Sequence, residues 1–261
     1  MNISLKGKKA LVGGSSKGIG EAIARQLAKS GASVTLMARN EERMRKLVQE
    51  MDSSQGQSHH YLVVDFSDFS AFKDTISAFF EHNTIDILVN NTQGPEGGGA
   101  LEKNVDDYQN AFDLLFKSVV YTTELALEYM QRNQWGRIIN VASVSVKEPL
   151  SYLALSNTIR AAVVTWAKSL SFDVAQDNIT VNSVLTGYFD TDRIAQLNTK
   201  KAEKMGILPE EVLSDMEEKV PMKRIGKPAE YGYLATFLAS DQAAYITGTN
   251  IPIDGGLLKS L

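Results

Sequence analysis

The sequence runs to 261 residues, 43% of them hydrophobic, with a formal net charge of −4. That length and apolar share suit one α/β domain spanning 1–261, and the weakly acidic balance offers no surface for nucleic acid or an anionic membrane. Cysteine is absent, so no disulfide framework or metal centre is expected; no apolar run approaches the roughly 18 residues of a membrane span, residues 1–7 lack a signal peptide's apolar stretch, and the expected location is the cytoplasm.

Residues 9–13 form a short apolar run of strand length. A glycine-rich turn follows over 14–20, and Ala22, Ile23, Leu27 and Ala28 recur at helical spacing until Gly31 ends the helix. Strands are expected at 34–38, 61–65 and 86–90, with helices at 41–51 and 69–80 between them. The loop 92–99 holds four glycines and a proline. One long helical region is expected over 105–132, then a strand at 137–141, a helix at 152–174 and a strand at 180–185. Residues 188–221 read as polar and irregular, with short helical pieces. A helix at 228–239 and a strand at 250–253 close the chain. Continuous apolar strands alternating with helices indicate a parallel sheet covered on both faces.

The first chemical motif is Gly14-Ser15-Ser16-Lys17-Gly18-Ile19-Gly20, between a strand and a helix. Exposed amides at a helix N-terminus bind anions, and glycines let the backbone approach a pyrophosphate with no Cβ in the way. A cofactor with free ribose hydroxyls is usually held by a carboxylate after the second strand. Here Met37-Ala38-Arg39-Asn40 offers none, while Arg39 and Lys17 suit a 2′-phosphate. The expected cofactor is therefore NADP(H); the plainer alternative is two solvated surface cations. Asp65 is an expected acceptor for an adenine amine, or else a strand-end cap.

Taken with Asp86-Ile87-Leu88-Val89-Asn90-Asn91, Gly136-Arg137-Ile138-Ile139-Asn140-Val141-Ala142-Ser143, Ile179-Thr180-Val181-Asn182-Ser183-Val184-Leu185-Thr186-Gly187 and the closing Thr247-Gly248…Asp254-Gly255-Gly256, the chain resembles the short-chain dehydrogenase/reductase family along nearly its whole length. Within that family it is most similar to the 3-oxoacyl-[acyl-carrier-protein] reductases. The resemblance implies a Rossmann-type doubly wound sheet of about seven parallel strands with helices on both faces, and NAD(P) across the strand C-termini. It further implies cofactor contacts from Gly14, Ser16, Lys17, Gly18, Ile19, Gly20, Arg39, Asp65, Phe66, Asn91, Arg160, Gly187 and Thr191.

The family's catalytic residues are an asparagine, a serine, a tyrosine and a lysine. The resemblance aligns the serine with Ser143. The family's usual spacing then puts Ser156 at the tyrosine position, Arg160 at the lysine position and Leu115 at the asparagine position. Gly13 stands for a usual threonine, Thr92-Gln93 interrupts a usual Asn-Asn-Ala-Gly, and Thr186 stands for a usual proline. Arginine stays protonated, so Arg160 supplies charge and ribose contacts but relays no proton. A serine hydroxyl is a poor general acid, and losing a positioned acid costs about 10²–10⁴-fold. Tyr152, one helical turn before Ser156 in this reading, is a substitute donor or a packing residue. The three histidines, His59, His60 and His82, are expected at the surface, away from the site.

Two function classes stay open: an NADP-dependent oxidoreductase interconverting a carbonyl and an alcohol at a remodelled site, or a nucleotide-binding protein without turnover acting as a sensor or subunit. Residues 188–221 are expected to form a substrate lid. The helical regions 105–132 and 152–174 carry more apolar positions than one sheet face needs, which predicts a homotetramer or a dimer.

Overall fold

The computed structural model describes residues 3–260, so Met1, Asn2 and Leu261 lie outside the described residues. The strands are β1 (Lys9–Gly13), β2 (Ser33–Ala38), β3 (His60–Val63), β4 (Ile87–Asn90), β5 (Gly136–Val141), β6 (Ile179–Thr186) and β7 (Asn250–Ile253). They form one sheet in the order β3-β2-β1-β4-β5-β6-β7, with every pair parallel. The helices are α1 (Gly18–Lys29), α2 (Glu41–Glu50), α3 (Phe69–His82), α4 (Val105–Phe112), α5 (Ser118–Asn133), α6 (Ala154–Val174), α7 (Asp192–Met205), α8 (Pro209–Lys219) and α9 (Pro228–Leu238).

Strand side chains alternate between faces, so each central strand feeds two cores. Val12, Val34, Leu36, Val89 and Ile139 face one side, against Ile23 and Leu27 of α1 and Tyr231 and Leu238 of α9. Leu11, Leu88, Ile138 and Val181 face the other, against Phe72 of α3, Met130 of α5 and Ile159 of α6. This two-sided burial explains why the strands read as continuous apolar runs.

Several expectations need correction. The stretch 105–132 is not one regular helix: a π-turn over Asp113–Lys117 joins α4 to α5 and buries Leu114 and Leu115. A π-turn widens one turn by a residue, which hydrophobic spacing does not reveal. Residues 188–221 do hold helical pieces, but these are two full helices rather than short turns in an irregular stretch. They are α7 and α8, whose few buried positions, including Ala202, Val212 and Met216, lie among charges. Tyr152 is not on a helix; α6 starts at Ala154, and Tyr152 belongs to a segment paired with the glycine-rich loop. There the Gly98 N–H donates to the Tyr152 carbonyl at 2.7 Å and the Ala154 N–H to the Gly98 carbonyl at 3.0 Å. The third strand also ends at Val63, which leaves Asp65 in the following turn. His60 and His82 are exposed, whereas His59 is half-buried and accepts a hydrogen bond from the Val34 N–H at 3.2 Å.

Candidate functional site

The strand order reverses direction at β1, between β2 and β4. In such sheets the crevice for a ligand opens beyond the C-terminal ends of the strands at that point. The Asn91 side chain, just past β4, donates from Nδ2 to the Gly13 carbonyl at 3.0 Å and the Gly14 carbonyl at 3.4 Å, tying the glycine loop to the neighbouring strand. Gly14 takes φ +54°, a left-handed conformation that other residues adopt at a cost. A Cβ at Gly20 would collide with the Gly14 carbonyl and crowd the Asn91 amide. Ser15, which the sequence did not single out, is fully buried and accepts from the Met37 N–H at 2.9 Å. The loop is thus a rigid backbone cradle, with Ser16 half-exposed on its rim and Ile19 packed against the core.

Charges around the cradle are already engaged. Lys17 Nζ lies 2.9 Å from the Asp192 carboxylate at the start of α7, and that bond holds Asp192 below the usual carboxylate range. Arg39 is 3.9 Å from Asp65, both of them solvent-facing. Asp65 Oδ1 accepts from the Ser67 N–H at 2.9 Å and its hydroxyl at 2.6 Å. The Ser67 hydroxyl is the main cause of Asp65's lowered pKa, with Arg39 adding to it. The capping alternative therefore describes one oxygen of Asp65, and Oδ2 faces Arg39. The Phe66 side chain is buried against Phe72, with ring centroids 5.2 Å apart.

The other half of the crevice lies past β5 and β6. Ser143 follows β5, and its hydroxyl oxygen accepts from the Ser145 N–H at 3.1 Å. Arg160, half-buried on α6, donates from Nη1 to the Val141 carbonyl at 2.5 Å. Burial lowers its pKa, Tyr231 opposes that shift and Arg193 adds to it. The guanidinium borders a small cavity with Asn90, Thr92, Leu115, Val119 and Ala142. Ser156 lies one turn earlier on α6 and is half-buried; its hydroxyl has no protein partner among the described residues. Tyr152 is an exposed side chain, and desolvation of its hydroxyl, with Tyr188 adding to it, pushes its pKa up.

The end of β6 is held by a pair invisible in sequence. The Thr186 hydroxyl and the Tyr231 phenol lie 3.2 Å apart, and the Tyr231 hydroxyl donates to the Val184 carbonyl at 3.2 Å. The Gly187 N–H donates to the Ile253 carbonyl at 3.0 Å, and a Cβ there would meet Asp254. Thr191 caps α7 and faces Gly18, which brings the start of α7 over the cradle.

The family model described as Enoyl-(Acyl carrier protein) reductase matches residues 14–258, nearly the entire chain and both halves of this crevice. The chain belongs to the short-chain dehydrogenase/reductase family. Among curated members of that family, 3-oxoacyl-[acyl-carrier-protein] reductase FabG of Chlamydia pneumoniae is 31% identical over 258 residues, covering 98% of this chain and 99% of the relative. Oxidoreductase UcpA of Salmonella typhimurium is 37% identical over 262 residues, covering 97% and 95%. L-sorbose reductase of Gluconobacter frateurii, solved in complex with NADPH and L-sorbose, superposes with a TM-score of 0.92 at 29% identity over 100% of both chains. The short-chain dehydrogenase/reductase fold and the seven-stranded parallel sheet expected from the motifs are both present.

Proposed function

We propose that the protein is an NADP(H)-dependent oxidoreductase that interconverts a carbonyl and an alcohol, with Ser156 and Arg160 in place of the family's tyrosine and lysine. The observation that carries this reading is Arg160: a cation bonded to the Val141 carbonyl at the end of β5, bordering a cavity at the strand C-termini. NADPH bound to a structural relative, and Arg39 beside the cradle, support NADP(H) as the cofactor. The residues fit it. The glycine backbone has no room for side chains where a pyrophosphate would approach, and no carboxylate replaces Arg39 after β2.

The bound cofactor supplies the hydride; the protein positions the carbonyl and manages the proton. Because the Ser143 oxygen already accepts from the Ser145 N–H, its own O–H is free to donate to a carbonyl oxygen. The Ser156 hydroxyl is free to do the same. Arg160 keeps donors beyond the one held by Val141 to contact ribose hydroxyls and to stabilise the alkoxide as its charge develops. Tyr152, a phenol whose pKa lies above its ordinary value, is the proton donor in this reading. A phenol with a raised pKa is a weak acid, so proton transfer is slow. The segment 188–221 is the substrate lid, supported by the position of Thr191 over Gly18. The half-buried Phe112, Phe116, Tyr121 and Trp166 on the helices of 105–132 and 152–174 support a homotetramer or dimer. The cysteine-free sequence suits a reducing cytoplasm.

The test is NADPH binding by fluorescence, followed by NADPH consumption against a carbonyl panel with the native protein and Arg160→Met. The native protein should bind and consume NADPH, and Arg160→Met should lose consumption. Tight binding with no consumption on any carbonyl would instead identify a nucleotide sensor or subunit.

A further inference from the structure

A second arginine stands at the same crevice. Arg193, in the first turn of α7, donates from Nη2 to the Pro95 carbonyl at 2.7 Å. Its guanidinium lies over Gly94: a Cβ there would sit 3.5 Å from Nη2 and 3.6 Å from Nε. The loop carrying Gly94 leaves β4, and the segment holding Arg160 through Val141 leaves β5, the adjacent strand, with Asn90 in register with Asn140. Arg160 is thus held at the end of β5 and Arg193 on the loop that leaves the adjacent β4, and Thr92 of that loop borders the Arg160 cavity.

Neither guanidinium has a carboxylate within 4.0 Å among the described residues; Arg132, at the end of α5, is the other arginine without one, whereas Arg25, Arg39, Arg43, Arg45, Arg137 and Arg224 each have at least one. Glu96 acts on Arg193 from a distance, but its side chain is 86% exposed and its ion pair is with Lys103 at 3.6 Å. Like charges brought together out of bulk water destabilise each other unless an anion joins them. Burial lowers the pKa of Arg160 and Arg193 adds to that shift, while Tyr231 opposes it. Of the cradle's own cations, Lys17 has a close carboxylate partner in Asp192 at 2.9 Å, and Arg39 faces solvent 3.9 Å from Asp65.

We infer that the substrate is a carbonyl compound carrying a carboxylate, and that Arg193 receives the carboxylate while Arg160 faces the carbonyl end. This rests on the reductase reading proposed above. The planar guanidinium matches a carboxylate in a two-bonded pair. Its place on α7 makes this contact part of closing that helix over the crevice, so the acid group both selects the substrate and holds the helix down.

The probes are pyruvate, acetoacetate and levulinate, each beside its methyl ester, titrated calorimetrically into the NADP-saturated protein and, separately, assayed for NADPH consumption. At least one acid should bind about 10–100-fold more tightly than its ester, the range expected of a charge-assisted contact. Arg193→Gln should abolish that preference while leaving NADPH affinity within about twofold, and Arg193→Lys should restore part of it. Acids and esters binding alike would overturn the inference. So would an Arg193→Gln variant that loses NADPH affinity by about tenfold or more yet keeps the acid preference, because the anion on Arg193 would then be a cofactor phosphate. Acid preference through Arg193 with no NADPH consumed would confirm the carboxylate site and overturn the reductase reading alone.

Discussion

Arg39 and Lys17 look equivalent in sequence but not in structure. Lys17 already holds Asp192 at 2.9 Å, while the nearest carboxylate to Arg39 is 3.9 Å away. A 2′-phosphate therefore gains Arg39 at little cost, but gains Lys17 only by breaking its bond to α7. A charge-assisted hydrogen bond is worth about 1.5–3 kcal/mol, so Arg39→Ala should weaken NADPH binding by about 10–100-fold and leave NADH binding unchanged. Asp192→Asn should release Lys17 and tighten NADPH binding. Fluorescence titration of both nucleotides checks both outcomes. Tyr152 gives a second expectation at this scale. Its folded pKa is raised above the ordinary 10.0, so its proton is retained through that pH. The kcat profile should accordingly show no deprotonation of this group as pH rises toward 10, and Tyr152→Phe should lower kcat without changing NADPH affinity.

At the scale of elements, the start of α9 carries the clearest electrostatic device. Glu230 accepts from both Arg224 nitrogens at 2.6 and 2.8 Å and from the Lys227 N–H at 2.7 Å. The Arg224 bond is the main cause of its depressed pKa, about 2 against an ordinary 4.5. A depressed carboxylate contributes stability that is present above 4.5 and lost as pH falls toward about 2. The pair is solvent-facing, so the contribution is at most about 1 kcal/mol after screening. Glu230→Gln should lower the melting temperature by a few degrees at neutral pH, and the gap from the native protein should close between these two pH values.

What was legible at this scale follows from what each element buries. The central strands are buried on both faces, so their apolar runs marked them to within a residue or two. The glycine cradle was legible because its conformation demands glycine. Helices α7 and α8 were not, because they bury few residues and expose many charges. The π-turn at Leu115 and the bond from Arg160 to Val141 depend on geometry that spacing does not encode. The place of Arg193 over Gly94 depends on 188–226 folding back on itself, which spacing does not encode. There the Gly226 N–H donates to the Tyr188 carbonyl at 2.8 Å and the Asp190 N–H to the Gly226 carbonyl at 2.9 Å.

For the whole molecule, the sheet gathers the ends of β1, β4, β5 and β6 at one edge, and the outer helices supply what the strands cannot. On the helices of 105–132 and 152–174, Phe112 stacks on Phe116 at 4.9 Å and Phe116 meets Trp166 edge-on at 6.2 Å; the three rings pack against the second core and stay partly exposed. Light scattering at micromolar concentration should give the mass of a dimer or tetramer, and a lone 28.6 kDa species would contradict that.

The most direct test of hydride transfer at the Arg160 crevice is isotopic. The protein is mixed with a carbonyl substrate and NADPH deuterated at the transferred position, and the product is analysed by mass spectrometry. Deuterium at the carbinol carbon, lost with Arg160→Met, is the predicted result. NADPH that binds and returns with its deuterium intact, whatever carbonyl is supplied, would contradict it.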